Sequence, residues 1–116
     1  MQTLDQKRAE FAWQQVSGKG AAYKNLAKST PALIMSNGLM QTLAFLKANG
    51  KEEHKDLLES IRKWLKEQKL LADEKDFKDV MQELYKMDSL KYQRATEESL
   101  AILRWIRQLA DAAISK

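Results

Sequence analysis

Apolar residues recur along the chain at three- and four-residue intervals and nowhere hold a sustained two-residue alternation, so the pattern predicts helices rather than half-buried strands. The first helical segment runs from about Thr3 to Ser17, with a stripe of Ala9, Ala12, Trp13 and Val16 and Phe11 at its edge. Gly18-Lys19-Gly20 breaks the chain ahead of a short second helix, about Ala21 to Lys28, marked by Ala22, Tyr23, Leu26 and Ala27. A third begins at Ser29-Thr30-Pro31 and ends at Asn49-Gly50, either of which tolerates a left-handed C-cap. The fourth covers about Lys51 to Lys69 on a stripe of Leu57, Leu58, Ile61, Trp64 and Leu65. Leu70-Leu71-Ala72 reads as a flexible joint. Asp73 is expected to cap a fifth helix carrying Phe77, Val80, Met81 and Leu84. Asp88 caps the last and longest, which reaches nearly to Ile114 through Leu90, Ala95, Ile102, Leu103, Ile106, Leu109, Ala110 and Ala113. The expected fold is therefore all-α: one compact bundle of about six helices over residues 1–116, with no linker or internal repeat.

The third segment is the most informative. Asn37-Gly38 ordinarily signals a hairpin, but its flanks do not alternate. Leu39, Leu43 and Leu46 recur at helical spacing, and Met35 extends the line backwards. Thr30 suits the cap and Pro31 the first helical position, where a missing N–H costs nothing. Gly38 inside such a helix costs roughly 1 kcal/mol against Ala. The expected compensation is another helix or a ligand backbone packed close against it.

Composition narrows the picture. A chain of 116 residues can bury roughly two thirds of the surface its unfolded form exposes, so a core without staples is feasible. One Pro and four Gly favour a mostly helical chain. No cysteine is present, so disulfides and thiolate chemistry are absent, in keeping with a reducing cytoplasm. Met1 to Gln6 lacks the apolar run of a signal peptide, and no window approaches ~18 uncharged apolar residues, so neither export nor a membrane span is expected. Lys plus Arg number 20 against 16 acids, a net charge of +4 that permits a phosphate-rich partner without demanding one.

Catalytic chemistry is hard to assemble from these residues. The only histidine, His54, lies at the edge of an apolar stripe and reads as a partly buried structural residue. One His without Cys makes a zinc site improbable. The acidic run Asp73 to Asp79 lacks the order of an EF-hand loop and suits a helix start. Gly18-Lys19-Gly20 lacks the spacing of a phosphate loop and the strand that precedes one. Glu97-Glu98 is expected to make charge pairs on the helix surface. No enzyme, metal or cofactor is expected.

Binding features are cationic. Lys24 and Lys28, four apart on the second helix, face the same way, with Lys19 beside them. Lys47 and Lys51 close the third helix, where cations suit the dipole. Lys91, Arg94, Arg104 and Arg107 flank the apolar face of the last helix. Such groups neutralise phosphates without reading sequence, although a merely solvated face is the plain alternative for each. Trp13, Trp64 and Trp105 are expected in or beside the core, and Met35, Met40, Met81 and Met87 in helix–helix gaps.

Residue order adds what periodicity does not. Three blocks stand out: Gln6-Lys7-Arg8-Ala9-Glu10-Phe11-Ala12-Trp13 followed by Tyr23; Pro31-Ala32-Leu33-Ile34 with Asn37-Gly38-Leu39 and Gln41-Thr42-Leu43-Ala44-Phe45-Leu46; and Tyr92 through Arg107. Together they resemble the small all-helical subunit of the Cmr complex, the type III-B CRISPR RNA-guided silencing effector. Lys51 to Met87 matches only as amphipathic helices. Met40 stands where a smaller residue is expected. The resemblance implies a non-catalytic, cytoplasmic structural subunit in antiviral defence. It would stack in several copies beside the large polymerase-like subunit and contact CRISPR RNA and target RNA through the backbone. The residues expected to face RNA are Lys24, Lys28, Lys47, Lys51, Arg94, Arg104 and Arg107, with Asn37, Gln41 and Thr42 as polar candidates. The competing readings are a protein-only adaptor, whose cations merely solubilise it, and a helical DNA-binding regulator.

Overall fold

Local sequence starts and stops each helix. Thr3 Oγ1 accepts the Gln6 amide at 3.1 Å while the Gln6 side chain accepts the Thr3 amide at 2.7 Å, a reciprocal capping box that opens α1 (Leu4–Val16). In this computed structural model, which describes residues 1–72 and 76–114, there follow α2 (Ala21–Asn37), α3 (Leu39–Asn49), α4 (Glu52–Glu67), α5 (Phe77–Lys86) and α6 (Ser89–Ala113). The described residues thus form six helices and no strand, as the apolar periodicity requires.

The break between the second and third helices falls elsewhere than expected. α2 runs straight through Pro31 and ends at Gly38. Tyr23, Ala27, Thr30 and Ile34 are all buried, at spacings of four, three and four. One continuous α2 therefore seats a single stripe in the core, which outweighs the amide that Pro31 lacks. Thr30 does not cap a helix. It is buried, and its hydroxyl donates back to the Leu26 carbonyl at 2.7 Å. Gly38 has φ +88°, a region that side-chain-bearing residues rarely enter, and serves both as the end of α2 and the start of α3. A Cβ there would meet only the Tyr92 hydroxyl, at 3.8 Å, so the glycine answers to its dihedral and not to a close helix approach. That hydroxyl accepts the Met40 amide at 3.1 Å, and a residue of α6 thereby caps α3. Because the chain turns at Gly38, Met35 leaves the line of Leu39, Leu43 and Leu46 and stands 77% exposed.

Three further differences follow from packing. Leu70 and Leu71 are core residues, not a flexible joint. Lys69 takes φ +61°, and the amides of Lys69 and Leu70 bond to the carbonyls of Lys66 and Leu65, a Schellman closure that turns Leu70 inward. On α1, Phe11 is buried and meets Trp64 with ring centroids 5.1 Å apart, whereas Trp13 is 53% exposed. On α6, Leu90 lies in the first turn and is exposed. The expected cap Asp73 lies outside the described residues. Asp76 caps α5 by accepting the Asp79 amide, and Asp88 caps α6 by accepting the Lys91 amide.

α6 organises the bundle. Its 25 residues span about 37 Å, close to the longest molecular dimension of 40 Å. α1, α2 and α4 pack directly against it, α3 packs on α2 and α4, and α5 on α3. If Pro31 is interior and Gly38 is the break, two substitutions move stability in opposite directions. Pro31→Ala should raise it by on the order of 2 kcal/mol by restoring a helical hydrogen bond, and Gly38→Ala should lower it by about 1–2 kcal/mol. Urea denaturation followed by circular dichroism checks both; no effect from Pro31→Ala would return Pro31 to a first-turn position.

Candidate nucleic-acid interface

The seven cations expected to face RNA divide between two regions. Lys24 and Lys28 extend from α2 to the end of α6. Lys24 Nζ donates to the Ile114 carbonyl at 3.2 Å and stands 4.0 Å from Asp111, and Lys28 Nζ lies 3.1 Å from the same carboxylate. Both charges meet the negative end of the α6 dipole and hold α2 to it. Lys24 is consequently half-buried, while Lys28 keeps an exposed side chain. Arg107 is exposed one turn before Asp111, and Arg104 one turn earlier. Arg94 is exposed nearer the start of α6. At 100° per residue the three arginines spread over roughly 140° of the helix circumference, a band rather than a single line.

Arg104 borders a shallow cleft of about 300 Å³ shared with Asp5, Trp105 and Gln108. The Trp105 indole N–H donates to Asp5 Oδ1 at 2.9 Å, which fixes this half-buried ring between α6 and α1. Lys47 and Lys51 are exposed at the α3–α4 junction, on a different helix pair. Lys47 edges a cleft of about 280 Å³ with Glu59, Arg62 and Asp76, so that surface is of mixed sign. There the hydrogen bond from Arg62, at 3.0 Å, holds the Glu59 carboxyl below its ordinary value. Of the polar candidates, Asn37 and Gln41 are exposed. Thr42 is buried and donates to the Gly38 carbonyl at 2.9 Å, so it offers nothing to a ligand.

Two polar assemblies that periodicity did not disclose lie deeper. Glu98 is not a helix-surface pair. Its carboxylate takes both Arg8 Nε at 3.2 Å and Arg8 Nη2 at 2.6 Å, and accepts the Trp64 indole N–H at 2.9 Å, joining α1, α4 and α6. Burial acts to raise the Glu98 carboxyl, but the hydrogen bonds from Arg8 and Trp64 and the charges of Arg8 and Arg94 outweigh it and hold the group below its ordinary 4.5. The Tyr23 hydroxyl meets Ser60 Oγ at 2.9 Å, and Ser60 Oγ is 2.8 Å from Gln15 Oε1. Burial pushes the Tyr23 phenol up to about 12. The sequence separations, 90 residues for Arg8 to Glu98 and 37 for Tyr23 to Ser60, explain why no local pattern announces them.

His54 is buried, edge-on to Phe45 at 5.7 Å, with Nδ1 3.3 Å from Glu53 but in no hydrogen bond. Among the described residues no cluster of three or more His, Cys, Asp or Glu side chains is arranged to hold a metal ion. No helix among them is long and apolar enough to cross a membrane.

Fold and surface together define a small all-α bundle with exposed cations at the α3–α4 junction and along α6. A family model described as CRISPR-associated protein (Cas_Cmr5) matches residues 4–113, and the chain belongs to that family. It is 31% identical over 121 residues to the CRISPR system Cmr subunit Cmr5 of Thermus thermophilus, with both chains covered in full. The crystal structure of a CRISPR-associated Cmr5 family protein from the same organism superposes with a TM-score of 0.75 at 30% identity, covering 99% of this chain and all of the other.

Because Glu98 is held below 4.5 in the folded state, it contributes stability above that pH, and the contribution is lost as pH falls through its folded value. Glu98→Gln should therefore lower stability at pH 7 by about 2 kcal/mol and flatten the fall in stability below pH 4.5. Thermal denaturation across pH 3 to 7 measures both; a variant with the wild-type acid slope would show that the carboxylate pairs elsewhere.

Proposed function

We propose that this protein is a non-catalytic structural subunit of a type III-B CRISPR Cmr effector complex. It stacks in several copies beside the large subunit and lends cationic surface to the backbone of the target RNA and the guide–target duplex. Its partners are the other Cmr subunits, further copies of itself, CRISPR RNA and target RNA, and its place of work is the cytoplasm. Family membership over residues 4–113 carries the assignment to the complex.

The exposed side chains of Lys28, Lys47, Lys51, Arg94, Arg104 and Arg107 support the contact with RNA. Lys24 and Lys28 serve first as ties between α2 and α6, so α6 supplies the cations most free to meet phosphate. Each copy offers only a few such contacts, and repetition along one RNA turns weak binding into strong retention. An adaptor that binds only protein is the second reading, favoured by the pairing of Lys24 and Lys28 within the chain.

Arg94→Gln, Arg104→Gln and Arg107→Gln together remove three exposed charges from α6 and keep every core residue and Asp111 in place. If the arginines meet single-stranded phosphates, removing three contacts per copy should reduce the steepness of log K against log salt by about 2 per copy and weaken target RNA binding by the assembled complex. Filter binding across a salt series reads this. Unaltered affinity and salt dependence in a complex that still assembles would favour the protein-only adaptor.

A further inference from the structure

Trp13 is the bulkiest apolar side chain that the bundle leaves in water, with 53% of it exposed. α1 turns Phe11, Ala12 and Val16 inward, so Trp13 faces out. Indoles are usually well covered in a folded chain, which makes this exposure informative. Of the other exposed aromatics, Phe45 stands edge-on to His54, and Tyr85 belongs to α5, which packs on α3. Trp13 instead walls a cleft of about 620 Å³ where α1 passes into α2, together with Val16, Gly18, Lys19, Ala21 and Ile114. A Cβ at Gly18 or Gly20 would meet nothing within 4 Å, so the turn leaves its side of the cleft open.

The described charges around this cleft are mostly positive. Lys19 lines it, with its ammonium 5.7 Å from the Tyr23 ring centroid. Lys24 donates to the carbonyl of Ile114, itself a lining residue, and Lys28 lies beside it on Asp111. Arg107 is exposed one turn before Asp111 on α6. In this group four cations, Lys19, Lys24, Lys28 and Arg107, stand against the one carboxylate of Asp111. Glu10, one turn before Trp13, lines a separate cleft with Phe11, Gln14 and Trp64.

An open indole among surplus cations is the combination that holds single strands, in which a base stacks on a ring while cations follow the phosphates. We propose that the Trp13 cleft takes one unpaired RNA nucleotide, with its base against the indole and its phosphate at Lys19. Arg107, on the same helix as Ile114, joins the cleft to the arginine band of α6. Every base has a π face, so the contact is indifferent to sequence. An apolar protein side chain would cover the indole but leave the four cations unmatched, whereas a nucleotide answers both. The proposal rests on the RNA contact stated above and adds a base to a contact otherwise confined to the backbone.

The test is photo-cross-linking in the assembled complex, with target RNA that carries 4-thiouridine in its unpaired segments. Irradiation should join the RNA to the tryptic peptide from Ala9 to Lys19, at Trp13. Trp13→Phe keeps an aromatic face and should retain the adduct. Trp13→Leu keeps apolar bulk without a ring and should reduce it roughly tenfold, leaving adducts on Arg94 to Arg107 unchanged. Adducts confined to Arg94 to Arg107 and Lys47 to Lys51, or an Ale9-type yield that is equal in Trp13→Leu and wild type, overturn the cleft and leave the RNA contact standing. A Trp13→Leu chain that is folded by circular dichroism yet no longer retained by the complex assigns the cleft to a protein neighbour and overturns the proposal as well. No adduct on any peptide of this chain overturns both the cleft and the RNA contact.

Discussion

The fold depends on one stripe of α6. Ala95, Ser99, Ile102, Leu103, Ile106 and Ala110 are withdrawn completely from water along the inner side of a single long helix. α1, α2 and α4 each close on that stripe, α3 is seated on α2 and α4, and α5 is seated on α3. Two of its six residues are alanines, and Ser99 returns its hydroxyl to the Ala95 carbonyl at 2.8 Å. Small side chains there bring neighbouring backbones close, and Leu57, Ile61, Trp64 and Leu65 of α4 contribute bulk to the same core. Burial on this scale supplies most of the stability, and polar contacts select the arrangement.

Those contacts are few and long in reach. Glu98 gathers one residue from α1 and one from α4, and Tyr92 completes the first turn of α3 from across the molecule. Lys24 and Lys28 join the beginning of α2 to the end of α6. Each satisfies groups that would otherwise be stranded by packing, at a helix end or in a half-buried position. Because these links converge on α6, the same helix that holds the bundle together also fixes the orientation of the arginines on its outer side.

Helix number, helix type and the identity of the longest helix were legible from periodicity because amphipathic spacing and caps such as Thr3 and Asp88 are local. The α2–α3 boundary was not. Pro31 has a favoured place at a helix start, and reading it so assigned Gly38 to a helix interior. Tertiary burial of Tyr23, Ala27, Thr30 and Ile34 on one face overrode that preference, and a positive φ at Gly38 made the turn. Leu70 and Leu71 were misread for a related reason: a closure that turns on Lys69 leaves little trace in composition. The candidate cations were legible as charges, but whether each is free was not. Asp111, which engages Lys24 and Lys28, lies more than eighty residues away in the chain.

On the proposed reading, a bundle without a described metal cluster acts by presenting the outer side of α6 and the α3–α4 junction to an RNA backbone. On that reading, assembly would multiply contacts that are individually weak, and the assembled complex rather than the isolated chain is where affinity is to be measured. The most direct measurement is photo-cross-linking of target RNA carrying 4-thiouridine in the assembled complex, mapped by mass spectrometry. The account predicts adducts on this chain in peptides containing Arg94 to Arg107 and Lys47 to Lys51. A complex saturated with target RNA, containing the subunit yet yielding no adduct on it, would contradict the account.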